Sequence, residues 1–208
     1  MSLKGTIRIS GSMGGLSIET TVTREGSGGV PPQEKSLPKA DAGTLSTRTN
    51  DTDGTLTLGS GHGVATGNKI DIFWTDANGN LKCAYSATVG TVAGNSVPFT
   101  GASGDVLPAL DSAITADVQT ALDCDFDGDK LKMILAKSNR NGNLIFEDSG
   151  NAVLDHATLL ATEPYFYYSG AGQTNPLSGN PVDEIRVTNA DSVNAATFQM
   201  NGIYNSDA

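Results

Sequence analysis

Four short segments of this chain share one chemistry: an Asp or Asn, one spacer, another Asp or Asn, then Gly. They are Asp51-Thr52-Asp53-Gly54, Asp76-Ala77-Asn78-Gly79, Asp125-Phe126-Asp127-Gly128 and Asn139-Arg140-Asn141-Gly142. Asp-Gly and Asn-Gly pairs suit two-residue hairpin turns, because both central residues there take positive φ. Apolar and polar residues alternate on both sides of most of these tips. A period of two sends alternate side chains to opposite faces of a strand. The chain is therefore expected to run as a series of antiparallel hairpins.

Apolar residues are 38% of the 208, charged residues only 17%, and there are 25 glycines. That balance suits strands with uncharged polar surfaces and many turns. It does not suit a helical enzyme, whose helix surfaces would be rich in Glu, Lys and Leu. No stretch keeps the i, i+3, i+4, i+7 apolar spacing over three turns; Ala152 to Ala161 comes nearest and is short. The expected fold class is all-β: two small antiparallel β-sandwich or barrel-like units with a Gly/Pro-rich N-terminal arm.

Three spans follow. Residues 1–41 hold an N-terminal hairpin and an extended arm. Leu3, Gly5, Ile7 and Ile9 share one face, and Leu16, Ile18, Thr20 and Val22 are in phase on the return. Gly26-Ser27-Gly28-Gly29-Val30-Pro31-Pro32 excludes a helix or a central strand, since proline removes ladder donors. Glu25 to Ala40 then reads as a loop or arm over a neighbouring surface, or as a disordered linker.

Residues 42–117 form a β unit with strands expected at 43–49, 54–58, 69–74, 80–89, 91–93, 96–99 and 113–119. Its strongest segment is Lys69-Ile70-Asp71-Ile72-Phe73-Trp74, which alternates until Phe73-Trp74 makes both faces aromatic. Gly94-Asn95 marks a tight turn, and Val106 to Ala113 a loop or at most a short helical turn. Residues 118–208 form a C-terminal sandwich or jelly-roll-like unit. In it Leu122, Cys124 and Phe126 face one way, Leu131, Met133 and Leu135 do the same after the turn, and Tyr165-Phe166-Tyr167-Tyr168 is the aromatic peak.

The net charge is −10 and the chain has no Lys/Arg cluster, so a phosphate backbone is a poor partner. No apolar run reaches the ~18 residues of a membrane span, and no signal-peptide core follows Met1. Neither nucleic acid nor membrane is expected as a partner. Cys83 and Cys124 lie far apart in alternating patterns, and two buried thiols are favoured over a disulfide. No Cys-x-x-Cys spacing marks a zinc or redox site.

Candidate sites are few. Asp123, Asp125, Asp127 and Asp129 resemble the start of a calcium loop, but the twelfth position is Ile134 or Ala136, and neither can be the bidentate Glu. A solvent-facing strand edge ending in an Asp-Gly turn is the preferred reading. His62, within Ser60-Gly61-His62-Gly63, and His156, after Asp155, have no nucleophile signalled nearby, and no Gly-x-Ser-x-Gly elbow is present. The Gly11 to Gly15 and Gly26 to Gly29 clusters lack a phosphate-loop context and read as hinges. Trp74 and Tyr165 to Tyr168 could stack on sugars. The alternative is a strand covered by the core on one face and a neighbouring subunit on the other, which the enrichment of Tyr at interfaces favours. No catalytic, cofactor-binding or metal residue is assigned, and a non-enzymatic protein is expected.

Two stretches, Ala42-Gly43-Thr44-Leu45-Ser46-Thr47-Arg48-Thr49 and Gly61-His62-Gly63-Val64-Ala65-Thr66-Gly67-Asn68-Lys69-Ile70-Asp71-Ile72-Phe73-Trp74, resemble uncharacterised proteins encoded among phage and prophage structural genes. So does the tail from Ile185-Arg186-Val187-Thr188-Asn189 through Asn201-Gly202-Ile203-Tyr204. The resemblance implies a virion structural protein made in the host cytoplasm, of the head-decoration or tail-associated type. Its partners would be other virion proteins and further copies of itself. No residue's role is carried over. A carbohydrate-binding module, a hydrolase and a calcium-stabilised β domain are the alternatives.

Overall fold

The computed structural model describes residues 3–13, 16–26, 28–127, 130–169, 174–177 and 181–204; of these, 3–5, 7–13, 16–26, 28, 30–32, 123, 125 and 127 are described by backbone alone. The fold is all-β, and no α-helix occurs among the described residues. The first part holds β1 (Leu3–Met13), β2 (Leu16–Gly26) and β3 (Gly28–Leu37). The middle holds β4 (Asp41–Arg48), β5 (Gly54–Leu58), β6 (Lys69–Thr75), β7 (Leu81–Val89), β8 (Ser96–Thr100), β9 (Ser103–Gly104) and β10 (Ala113–Val118). The last part holds β11 (Thr120–Asp127), β12 (Leu131–Ser138), β13 (Gly142–Glu147), β14 (Val153–Leu159), β15 (Tyr165–Tyr168), β16 (Pro181–Asn189) and β17 (Ala196–Tyr204).

The middle strands close on themselves. Their order is β6-β10-β4-β5-β8-β7, and β7 pairs back onto β6, with β9 added to β7. This is a six-stranded antiparallel barrel, in which closure removes the free sheet edges. Leu45, Leu56, Ile70, Ile72, Val97 and Phe99 fill it, each nearly or fully buried. Burying a side chain of that size stabilises by about 1.5–3 kcal/mol.

The last strands form two four-stranded sheets, β11-β16-β13-β14 and β15-β12-β17-β3, packed on one core. Leu122, Cys124 and Phe126 point into it, as their alternation predicts. Past the turn the phase differs from the expected one. A register irregularity between Leu131 and Met133 leaves Leu131, Ile134 and Ala136 inside and turns Met133 and Leu135 to the outer face.

The expected loop or arm is in part a strand of this sandwich. β3 pairs along β17 at the sheet edge, from Leu37↔Ala196 to Gly28↔Tyr204. At an edge, proline's missing N–H interrupts no ladder, and the register shift falls where Pro31 and Pro32 lie. β1 and β2 form a ribbon of their own, with no third strand paired to it among the described residues.

Of the four Asx-Gly tips, only two join paired strands: 51–54 between β4 and β5, and 76–79 between β6 and β7. The other two carry the chain from one sandwich sheet to the other, from β11 to β12 and from β12 to β13. The chemistry of the 76–79 tip also differs from that expected, and Gly128 of the third tip lies outside the described residues. At the second tip the Asp76 Oδ1 accepts the N–H groups of Asn78 (2.8 Å) and Asn80 (2.9 Å), and only Gly79 takes positive φ, +83°. The two-residue turn is at Gly94-Asn95, where Ala93 and Ser96 exchange backbone bonds of 3.0 Å. Of the smaller expectations, 91–93 is no strand, and 106–112 is loop.

Candidate functional site

The barrel and the sandwich meet along a seam. Strands β6, β7 and β10 present their outer faces to the outer face of the sheet containing β13, β14 and β16. Phe73, Cys83 and Tyr85 from the barrel and Ile145 from the sandwich make its apolar part, flanked by Leu81 and Ala190. The covered seam explains two patterns. In β6, Ile70, Ile72 and Trp74 point into the barrel while Asp71 and Phe73 point into the seam, so both faces are buried. In β13 every residue is buried, with Leu144 and Phe146 in the sandwich core and Ile145 in the seam.

Asp71 is the centre of the polar part, only 1% exposed. Its Oδ1 accepts hydrogen bonds from the Ser86 N–H (3.0 Å) and Gln119 Nε2 (2.7 Å) of the barrel. Its Oδ2 accepts from Asn143 Nδ2 (3.1 Å) and Thr188 Oγ1 (2.7 Å) of the sandwich. The chain shapes itself to make the first of these. A bulge opposite the Ile70–Ile72 step places Ser86 at φ +55°, a conformation that L side chains rarely adopt. That turn aims its N–H at the carboxylate.

Two further carboxylates share the seam. Glu147, with no exposed side-chain surface, is bridged by Lys69 Nζ from the barrel (3.2 Å) and Arg186 Nε from the sandwich (2.7 Å). Asp117 accepts the Asn189 N–H at 2.8 Å. The Asn189 Nδ2 in turn donates to the Pro38 and Asn194 carbonyls, both at 2.8 Å. Thr115 Oγ1 donates to the Ala190 carbonyl at 3.0 Å.

Burial sets the electrostatics. It pushes the Asp71 carboxyl above its ordinary range against the pull of its four donors. It raises Asp117 to about 7, with the Asn189 N–H opposing and the Asp71 charge adding. It lifts the Cys83 thiol well above its usual value, helped by Asp71 and Asp105. The amide oxygens Gln119 Oε1 and Asn143 Oδ1 are buried and find no donor among the described residues. The seam is thus a tight polar joint able to hold a proton at neutral pH. Its mouth opens into two adjoining grooves of about 310 and 370 Å³, which share Thr75, Leu81 and Ala190; Arg140 and Asp191 face each other across the second at 3.5 Å.

The residues singled out in the sequence are dispersed. His62 Nε2 donates to the Gly94 carbonyl at 3.0 Å in the barrel loops. His156 is exposed on β14, its ring 4.2 Å from that of Tyr85 across the seam. Among the described residues no hydrogen bond joins either ring to a hydroxyl or thiol. Trp74 is 9% exposed and belongs to the barrel core, which leaves little of its face for a ligand. Tyr167 is in the sandwich core and Tyr165 packs against it, while Phe166 and Tyr168 stack at 5.2 Å on the outer side. Cys83 and Cys124 are buried, in the seam and the sandwich core respectively, and are not paired with each other. The side chains of Asp123, Asp125 and Asp127, and all of Asp129, lie outside the described residues. Among the described residues no group of three or more His, Cys, Asp or Glu is placed to hold a metal ion, and no helix is long and apolar enough to cross a membrane.

Asp71, Asp117, Gln119, Asn143, Glu147 and Thr188 carry the seam, and none stands out in the sequence as a site. The signal lies in their neighbours. Consecutive aromatics at Phe73-Trp74 mark a strand covered on both faces, and Asp71 shares the Phe73 face. The unbroken Leu144-Ile145-Phe146 run says the same of Asn143 and Glu147, which share the Ile145 face. Comparison with protein-family models, with curated proteins and with solved structures finds no match to the chain.

Proposed function

We propose that this chain is a non-enzymatic structural protein of a phage virion, a capsid decoration or cement protein that docks on neighbouring subunits of a protein lattice. A tail-associated position is the alternative placement. One observation carries the reading. The buried carboxylates Asp71, Asp117 and Glu147 all take hydrogen bonds or ion pairs from the chain itself, across the joint between its two units. The chain's buried polar chemistry is thereby engaged in holding one shape. Outward, the edge strands β14 and β15 have one free side each among the described strands, and the N-terminal ribbon lacks a third strand. Strand edges and ribbons of this kind dock on other proteins by shape and backbone pairing. On a lattice, repetition turns weak contacts into firm ones. The net charge of −10 favours a protein partner over nucleic acid.

The test is a mass-spectrometric inventory of purified particles from the source, together with co-sedimentation of the purified chain with particles lacking it. The expected result is recovery of the chain with the particles in a fixed ratio to the major lattice protein. Absence from particles overturns the reading, and so does esterase or glycosidase turnover that is lost on replacing His62 or His156.

The stacked Phe166–Tyr168 pair, half-buried on edge strand β15, supports a second reading as a carbohydrate-binding module. A glycan array separates the two, with Phe166→Ala as its control. Binding lost in that variant would favour sugar recognition.

A further inference from the structure

The ribbon of β1 and β2 has a two-sided character fixed by its register. Ile7 pairs with Val22, Met13 with Leu16, and Gly11 with Ile18. Cross-strand partners share a face and alternate positions repeat it. So Ile7, Ile9, Met13, Leu16, Ile18 and Val22 fall in one row, and Lys4, Thr6, Arg8 and their partners in the other. A two-stranded ribbon is marginal in water by itself, and an apolar row needs cover. In this chain the ribbon lies beside β12 and β17. There Met133 and Ile203, register partners outside the sandwich core, are only 4% and 8% exposed. Leu135 and Phe166, also partners on that outer face, are half-buried. A ribbon with one apolar row thus lies against an apolar outer sheet face.

The ribbon joins the body where β2 ends at Gly26 and β3 begins at Gly28. Gly26, Gly28 and Gly29 give the strand ends at this join the backbone freedom of glycine. Charge also separates the two parts. Residues 1–26 carry three cations against two carboxylates, whereas residues 27–208 carry ten against twenty-one. Two such bodies repel each other, and the ribbon is the segment of one copy that the body of another attracts.

We propose that the ribbon is exchanged between copies: the β1–β2 ribbon of one chain lies on the outer face of β12 and β17 of a second, using the contacts it makes within its own chain. Exchange of an identical element costs little beyond the entropy of association, which a lattice offsets by holding copies close. The inference rests on the assembling role proposed above and names the contact and the partner, a second copy of this chain.

The test uses two full-length variants in analytical ultracentrifugation. Ile7→Asp with Ile9→Asp breaks the apolar row, and Met133→Lys with Leu135→Lys breaks the outer face. The wild type is expected to sediment as a dimer or larger species at high concentration, and each variant alone as a monomer. An equimolar mixture should regain the dimer, because the intact ribbon of one variant meets the intact face of the other. Circular dichroism checks that each variant folds; should the Met133 change prevent folding, Leu135→Lys alone, at a half-buried position, takes its place. A mixture that stays monomeric overturns the exchange, as does a wild type that is monomeric at every concentration. Neither outcome bears on the virion reading, which the particle inventory decides, and absence from particles would leave a restored dimer standing.

Discussion

Asp71 and Asp117 are carboxylates that folding moves out of water, and this sets how stability follows pH. Asp117 rises from 3.8 to about 7 on folding, chiefly through burial, so the folded chain binds its proton more tightly than the unfolded chain. Its contribution is full below about pH 4 and is lost as pH rises through 7. Asp71, raised for the same reason, acts in the same sense. At the other end Asp53, Asp76 and Asp191 lie below the ordinary range because backbone N–H groups and Asn side chains bond to them, and their contributions fade as they protonate. Melting temperature should therefore rise as the buffer goes from pH 8 to 5 and fall again in stronger acid. Asp117→Asn should flatten the upper limb; a variant with the wild-type slope would remove Asp117 as the cause. Glycine presents a second contrast, readable by urea denaturation. A Cβ on Gly142 would collide with the Thr188 carbonyl oxygen, at the end of the β13–β16 ladder where Gly142 pairs with Asn189. Gly142→Ala should cost about 3 kcal/mol, since backbone must move. Gly67 has φ +84° and open space around it, so Gly67→Ala should cost only about 1 kcal/mol, the penalty of the left-handed conformation.

Strand β6 shows how adjacent side chains serve different cores. Trp74 belongs to the barrel and Phe73 to the seam. Truncating either to Ala should cost about 3–5 kcal/mol, with different footprints. Hydrogen exchange should show Trp74→Ala loosening β5 and β8, and Phe73→Ala loosening β13 and β14. Identical footprints would mean that the two cores are not separable. The same strand marks how far the sequence could be read. Alternation located β4 to β8 and β10 closely, because each period is a local property. It did not decide which sheet a strand joins. The tips at 51–54 and 139–142 share Asx-Gly chemistry, yet the first returns to its neighbour and the second crosses between sheets. The difference lies in remote partners: Asn139 Oδ1 takes the Thr197 N–H and Asn141 Oδ1 the Ala161 N–H. β3 reads as an arm because Pro31 and Pro32 forbid a central strand, but the edge position that tolerates them is set by β17, far along the chain. The partners of Asp71 are not legible in its own segment, because Asn143 and Thr188, which cover it from the sandwich, lie far along the chain.

The barrel and the sandwich each bury a core, so each could in principle unfold alone; what ties them is the seam. Lys69 and Asp71 on the barrel reach Glu147, Asn143 and Thr188 on the sandwich. A polar joint of this kind is sensitive to the loss of a single member. A buried ion pair adds little against an apolar replacement, but removing one partner strands the other charge at a cost of about 3–5 kcal/mol. Glu147→Ala leaves Lys69 and Arg186 facing each other with their shared carboxylate gone. Glu147→Gln keeps the shape but removes the charge. Scanning calorimetry of the wild type should show one transition in which barrel and sandwich melt together. Glu147→Ala should split it, with the earlier transition lowered by several degrees and Trp74 fluorescence reporting the barrel separately. Glu147→Gln should fall between. The split should narrow at high salt, which screens the repulsion between Lys69 and Arg186, the latter keeping its ion pair with Glu184. A Glu147→Ala protein that still melts in one step, with fluorescence and calorimetry coincident, would place the coupling in the apolar contacts of Phe73, Tyr85 and Ile145 instead.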